Sequence, residues 1–310
     1  MRYQTTSTIL MVRPAHFAFN EETAANNAFQ SKDGNLTPAA IKKKAQEEFD
    51  EFVKRLRAAG VNVIVANDSL APIKPDAVFP NNWVSFHQEG YIVTYPMFAP
   101  VRRRERRRKV LEAVTDAGFV YEKRMQFEKE EKKGIFLEGT GSIVFDHKNR
   151  LAYACRSPRT NSELLTKLCR LMQYRPIVFD AADAQGMAIY HTNVLMAMGD
   201  TFVVVCLDAV KNVSERIILE QLYKETKKMI IAITLDQMNA FAGNMLQVRS
   251  SGTGGDTWLV MSERAHKSLT QYQIHQLEQH TKLLHSPLYT IEGYGGGSAR
   301  CMMAEVFPSV

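Results

Sequence analysis

Cysteine is scarce in this chain, four in 310 residues, and no two stand as a CxxC pair. That removes a disulfide framework and a zinc ribbon as expectations and leaves Cys155, Cys169, Cys206 and Cys301 as separate thiols. The eight histidines supply neither an HExxH motif nor an i, i+4 helical pair, so neither a zinc helix nor any metal is expected. Long apolar runs are missing too. Nothing approaches the roughly 18 residues of a membrane span, and the N-terminal STILMV is too short for a secretion-signal core; a cytoplasmic protein with no membrane partner is the expectation. GTGS at 139–142 and SGTGGD at 251–256 neither meet GxGxxG nor end in GK followed by Ser or Thr, so no nucleotide cofactor is expected. No Pro/Gly/Ser-rich linker divides the chain, which predicts a single domain over 1–310.

What is present is an ordinary globular composition, 45% hydrophobic and 23% charged, which excludes a disordered chain. Lys and Arg outnumber Asp and Glu by 39 to 33, and much of the excess lies in VRRRERRRKV at 101–110. No aromatic residue interleaves with this run. It opens a helix through Leu111 and Val114 that stops at Gly118, so a solvated helix face is predicted and no nucleic-acid partner.

The chain has a fivefold rhythm. AVFPNNWVSF, IFLEGTGSIVF, AIYHTNVLMAM, NAFAGNMLQV and ARCMMAEVF each set a polar residue before an apolar run. Anchored on Asn82, Glu138, His191, Asn244 and Cys301, they are spaced by 56, 53, 53 and 57 residues. After the first four anchors and their strands come a turn and a second strand (GYIVTYPM, NRLAYACRS, DTFVVVCLD, DTWLVMSER). A helical stretch follows: the arginine-rich segment to Ala117, then NSELLTKLCRLMQ, VSERIILEQLYKET and HKSLTQYQIHQLEQHT. The third strands are expected in MQFEK, RPIVFDA, MIIAITL and LYTIEGY. The unit is strand, strand, helix, strand.

Such units arranged around an axis close on themselves, with the N-terminal strand TILMVR completing a blade begun at the C-terminus. Residues from about 20 to 45 read as a loop entering a helix whose apolar face is Phe49, Phe52, Val53 and Leu56, with a stop at Gly60.

In a closed ring the anchors converge. A thiol, an imidazole and a carboxylate together suit nucleophilic catalysis: a thiolate attacks carbon, a histidine shuttles protons, and an acid orients substrate or imidazole. Alone, Cys301 would read as a small buried hydrophobe; in register with His191 and Glu138, after the glycines at 295–297, it reads as a nucleophile. Glu138 could instead be a turn or capping carboxylate. His87, His147, His266, His275, His280 and His285 are expected at the surface, and Cys155, Cys169 and Cys206 in structural positions.

The set FPNNW, FLEGTGS, YHTN, FAGN and GGGSARCM resembles the guanidine-modifying, or pentein, superfamily of arginine deiminases, dimethylarginine hydrolases, agmatine deiminases and amidinotransferases. With ILMVRPAHFAFNEETAANNAFQ at the N-terminus, the pattern looks most like the amidinotransferase-related citrulline-utilisation hydrolases. The resemblance implies a five-bladed α/β propeller with pseudo-fivefold symmetry, Cys301 as nucleophile, His191 as general acid and base, and Glu138 holding the substrate's planar head group. It also implies Arg159 for the substrate α-carboxylate and a substrate-lining set of Asn82, Asn193 and Asn244; Arg13 and Asn20, in the N-terminal motif, either line the pocket from the first blade or form a structural turn.

Deiminases typically carry Asp at the positions matching Asn82 and Asn193. Amides in place of carboxylates weaken a preference for a cationic guanidinium and suit a neutral ureido group, which makes a ureido or guanidino amino acid the expected partner and citrulline the favoured one. An arginine-deiminase-type enzyme, an amidinotransferase that passes the group to an amine, and a non-catalytic binding protein of the same fold are the alternatives. A homo-oligomer is left open.

Overall fold

The computed structural model describes residues 2–24, 27, 29–30, 36–252 and 255–308. They form five three-stranded sheets, and every sheet follows one rule: the first strand pairs antiparallel with the second, and the second pairs parallel with the third. The first sheet is Val84–His87, Tyr91–Thr94 and Lys123–Gln126. Val144–Asp146, Leu151–Cys155 and Arg175–Phe179 make the second, and Met196–Met198, Phe202–Val205 and Met229–Ala232 the third. Leu246–Arg249, Thr257–Ser262 and Lys282–Ser286 make the fourth.

The fifth sheet joins the two ends of the chain. Ala304–Glu305 pairs with Thr8–Arg13, with Ile9 opposite Glu305, and Thr8–Arg13 continues parallel to Asn62–Asn67. This is the expected α/β propeller of five blades, and it follows from the pattern: short, doubly buried strands joined antiparallel by a tight turn, then parallel through a helical crossover.

A helical crossover joins the second strand of each sheet to the third. The longest, Pro38–Ala58, starts where the Thr37 side chain accepts from the Ala40 amide, with Pro38 in the first turn. Its buried face is Ile41, Ala45, Phe49, Phe52, Val53 and Leu56, spaced to recur on one side. Burying Phe49 and Phe52 contributes about 1.5–3 kcal/mol each. Gly60, at φ 81°, turns the chain into the next strand. Of the loop expected before this helix, residues 25, 26, 28 and 31–35 lie outside the described residues, as do Thr253 and Gly254 of SGTGGD.

Several expected elements differ. LYTIEGY is not the third strand of its unit. That place is filled by Lys282–Ser286, and Tyr289–Gly295 is a helix; the β-prone residues of this stretch yield to a sheet position already occupied. HKSLTQYQIHQLEQHT is two helices, Glu263–Ser268 and Gln271–Glu278, because Thr270 caps the second in a reciprocal box with Gln273.

The arginine run is likewise split, into a turn at Pro100–Arg103 and a helix at Arg108–Asp116. Nor is it a solvated face throughout: Arg102 and Glu105 are buried. His87 and His147 are buried too, not at the surface, where Ser85 and Tyr174 bond their rings. Among the described residues no helix is long and apolar enough to cross a membrane.

The repeat delivers its anchors to one end of the ring. Asn82 ends the turn Pro80–Asn82, Glu138 precedes the single helical turn Gly139–Ser142, His191 precedes Thr192–Leu195, and Cys301 lies in Ala299–Met302. Each turn feeds the first strand of a sheet. The turn of Asn82 packs on those of Cys301 and Glu138, and Gly139–Ser142 packs on Thr192–Leu195.

Candidate active site

Asp76, Asn82, Arg102, Arg159, His191 and Cys301 line a cavity at these turns, and Tyr190 and Gly295 to Gly297 are among the other residues of its wall. Of the anchors, Asn82, His191 and Cys301 line this space; Glu138 does not, and reaches it only through its bond to His191.

Glu138 is fully buried at the head of its helical turn, yet its carboxylate caps nothing there. Oε2 accepts from His191 Nε2 at 2.8 Å, Oε1 accepts from the Phe98 amide at 2.9 Å, and Arg159 Nη1 stands 3.6 Å from Oε2. The turn-carboxylate alternative is thus set aside, and the acid holds the imidazole. Burial alone would raise Glu138, but Arg159, His191 and Arg102 together outweigh it and keep the carboxyl at about 2. Burial pushes His191 the other way for an imidazole, down to about 4, against the pull of Glu138.

At neutral pH the pair is therefore a carboxylate and a neutral ring. A carboxylate only accepts, so Nε2 carries the hydrogen and Nδ1 keeps its lone pair. Nδ1 faces Gly141: a Cβ there would come within 2.8 Å of Nδ1 and 2.4 Å of Asn82 Nδ2, so the close approach requires glycine. In an NMR titration His191 is expected to stay neutral through pH 6.5 and protonate only near 4. Glu138→Gln, which removes the group pulling that value up, is expected to lower it further; titration at the ordinary histidine value would contradict this arrangement.

Arg102 organises the opposite wall. Its Nε and Nη2 donate to the two oxygens of Glu105 at 2.9 and 3.0 Å, and Nη1 donates to Asn82 Oδ1 at 2.8 Å. This fixes the Asn82 amide: its oxygen is taken, and its Nδ2 has no partner among the described residues. Asp76 receives the Asn20 amide on Oδ2 at 2.7 Å and lies 3.7 Å from Arg102 Nε, while its Oδ1 is unpartnered among the described residues. Arg159 stacks over the Tyr190 ring at 4.8 Å and donates to the Thr23 carbonyl.

The remaining sequence-predicted residues fall in three places. Asn193 and Asn244 do not line the cavity; their side-chain amides point at the Cys301 sulfur from behind, at 3.5 and 3.3 Å. Asn20 is one shell away, holding Asp76. Arg13 is not at the site at all: it is half exposed and bound to Asp50 on the long helix, because a guanidinium at the end of a strand finds its carboxylate on the neighbouring helix face.

Asp76 and Arg102 escaped the sequence reading. Asp76 sits just ahead of FPNNW in the same loop, a signal that was available; Arg102 was hidden in a run whose composition spoke for solvent. No group of three or more His, Cys, Asp or Glu that could hold a metal ion occurs among the described residues.

The sequence model of one family, described as N,N dimethylarginine dimethylhydrolase, eukaryotic, matches residues 13–308. No curated protein matches. Several solved structures share the fold. The N-terminal domain of ArgZ, an arginine dihydrolase from the ornithine-ammonia cycle in cyanobacteria, solved as a cysteine-to-serine mutant bound to substrate, has a TM-score of 0.73 at 17% identity, covering 97% of this chain and 98% of that one. AgrE, as a mutant in complex with L-arginine, has a TM-score of 0.74 at 18% identity over 98% of this chain and 40% of its own. A dimethylarginine dimethylaminohydrolase adduct with S-methyl-L-thiocitrulline has a TM-score of 0.66 at 15% identity, covering 97% and 99%. These likenesses carry the fold; the family rests on the match along nearly the whole sequence. A pentein propeller with that match places the chain in the N,N dimethylarginine dimethylhydrolase family, as a hydrolase of non-peptide C–N bonds.

Proposed function

We propose that this enzyme hydrolyses the ureido C–N bond of a ureido amino acid, with citrulline the favoured substrate and ornithine, ammonia and carbon dioxide the products. The observation that carries this reading is the orientation of Asn82. With its oxygen committed to Arg102, Asn82 is left with Nδ2 as a buried donor that has no partner among the described residues, close to His191 Nδ1 at Gly141. A guanidinium has only donors and would meet N–H with N–H; a ureido oxygen accepts. Asp76 Oδ1 complements this by accepting from the ureido NH2.

In this reading Cys301 attacks the ureido carbon, and its proton passes to the free Nδ1 of His191. Glu138 steadies the imidazolium so formed, and Asn82 Nδ2 donates to the oxygen where negative charge develops. The tetrahedral adduct expels the ornithine nitrogen, which takes the proton from His191, and a carbamoyl group remains on sulfur. Water then gives a proton to Nδ1 and attacks the carbamoyl carbon. The C–S bond breaks, the Nδ1 proton returns to the sulfur, and the carbamic acid released decomposes to ammonia and carbon dioxide. Arg159 receives the α-carboxylate.

A guanidino substrate is the second reading, favoured by the Asp76 carboxylate and by the arginine bound in AgrE. A panel of citrulline, arginine, agmatine and methylated arginines separates the two. Citrulline is expected to be consumed fastest, and Asn82→Asp, which keeps the acceptor for Arg102 but turns the donor into a second acceptor, is expected to move the citrulline-to-arginine preference at least about tenfold toward arginine. Arginine or agmatine turned over far faster than citrulline by the unmodified enzyme would overturn the ureido assignment.

A further inference from the structure

Four of the five repeat anchors have a part in this chemistry; Asn244 has none so far. It is buried, and each polar atom of its side chain is committed. Oδ1 accepts from the Arg300 amide at 3.0 Å, so the group cannot turn over. Nδ2 has two hydrogens and two acceptors, the Asn193 carbonyl at 2.9 Å and the Cys301 sulfur at 3.3 Å. Asn193 also reaches the sulfur, at 3.5 Å, but its Oδ1 has no partner among the described residues, so nothing fixes which end of that amide faces the thiol.

Cationic help is directed elsewhere: Arg102 and Arg159, which share the cavity with Cys301, Asp76 and Tyr190, turn to Glu105 and Glu138. His191 gives its Nε2 hydrogen to Glu138. Arg300, next to the cysteine in sequence, turns its guanidinium to the Met303 carbonyl and Glu305.

A thiol donates one hydrogen and a thiolate only accepts, so an amide locked with its N–H toward sulfur favours the ionised form and aims it. We propose that Asn244 is a positioning residue that aims the Cys301 sulfur and steadies the thiolate formed as its proton leaves for His191, with a fixed amide dipole where a cation would otherwise serve. This rests on reading Cys301 as the nucleophile and is independent of which substrate is used.

The test is alkylation of the substrate-free enzyme by iodoacetamide across pH, followed on the Cys301 peptide by mass spectrometry. The buried Cys155, Cys169 and Cys206 report unfolding in the same sample. Asn244→Asp keeps the acceptor for the Arg300 amide and the side-chain volume; Asn244→Ala adds no charge, so the two variants fail to fold for different reasons if either does.

At pH 7 the alkylation rate is expected to fall about tenfold in Asn244→Ala and further in Asn244→Asp, with the profile displaced to higher pH and the same alkaline plateau. Asn193→Ala is expected to move it less. In turnover, kcat is expected to fall with KM nearly unchanged. Profiles that coincide with the unmodified enzyme, or that lose rate equally at every pH, would overturn the proposal. A substrate panel favouring arginine would leave these profiles as they are, so failure of the ureido reading and failure of this one are told apart.

Discussion

Cys301→Ala is expected to abolish turnover of every compound in the substrate panel, a loss of at least about a thousandfold in kcat. The argument is positional. Cys301 is buried in a turn immediately after the glycine run, its Cβ near Gly297, with two amides behind the sulfur and a cavity in front. No other thiol is within reach of that cavity: Cys155 donates to the Ile189 carbonyl, Cys169 is on a crossover helix, and Cys206 is buried beyond the third sheet. The substitution removes one atom from a small side chain, so the fold should lose only about 1 kcal/mol. A melting temperature lowered by no more than about 4 °C beside a dead enzyme is the expected pair of results. Full activity in the variant would return Cys301 to the role of a buried hydrophobe.

Arg102→Met is expected to destabilise the fold by about 3–5 kcal/mol, whereas Arg108→Ala, nearby in the same run, should stay within about 0.5 kcal/mol. Arg102 is 3% exposed and joins Glu105, Asn82 and the Phe79 carbonyl by hydrogen bonds, with Asp76 alongside. Its removal leaves buried carboxylates without their cation and releases the Asn82 amide. Arg108 has a side chain 91% exposed and pairs with Glu112 one helical turn away, in water. Chemical denaturation of the two variants measures the difference. Equal, small losses would mean that the buried network contributes little, and the orientation of Asn82 would then lack its support.

These two residues also mark how far the sequence could be read. The blades were legible because each anchor precedes an apolar run and the spacing repeats, so one period placed every first and second strand. Cys301, His191 and Glu138 followed from the period, since a ring brings equivalent positions together. Arg102 was not legible, because burial of a charge depends on partners from other segments: Asp76 and Asn82 lie in a loop 26 and 20 positions earlier in the chain and meet it only through the fold. The LYTIEGY helix fails for the same reason in reverse. Its local preference is extended, and only the sheet already completed by Lys282–Ser286 decides otherwise. Asn193 and Asn244 were placed at the right end of the ring but on the wrong side of the sulfur, since spacing gives the depth of a residue and not its facing.

The latch in the fifth sheet has a temporal meaning. The Thr6 hydroxyl donates to the Val306 carbonyl across 300 residues, and the strand following Cys301 pairs with the first strand of the chain. Such remote pairings form late and slowly. During translation Cys301 emerges after the other four anchors, and the strand that follows it finds its partner in a segment made almost 300 residues earlier.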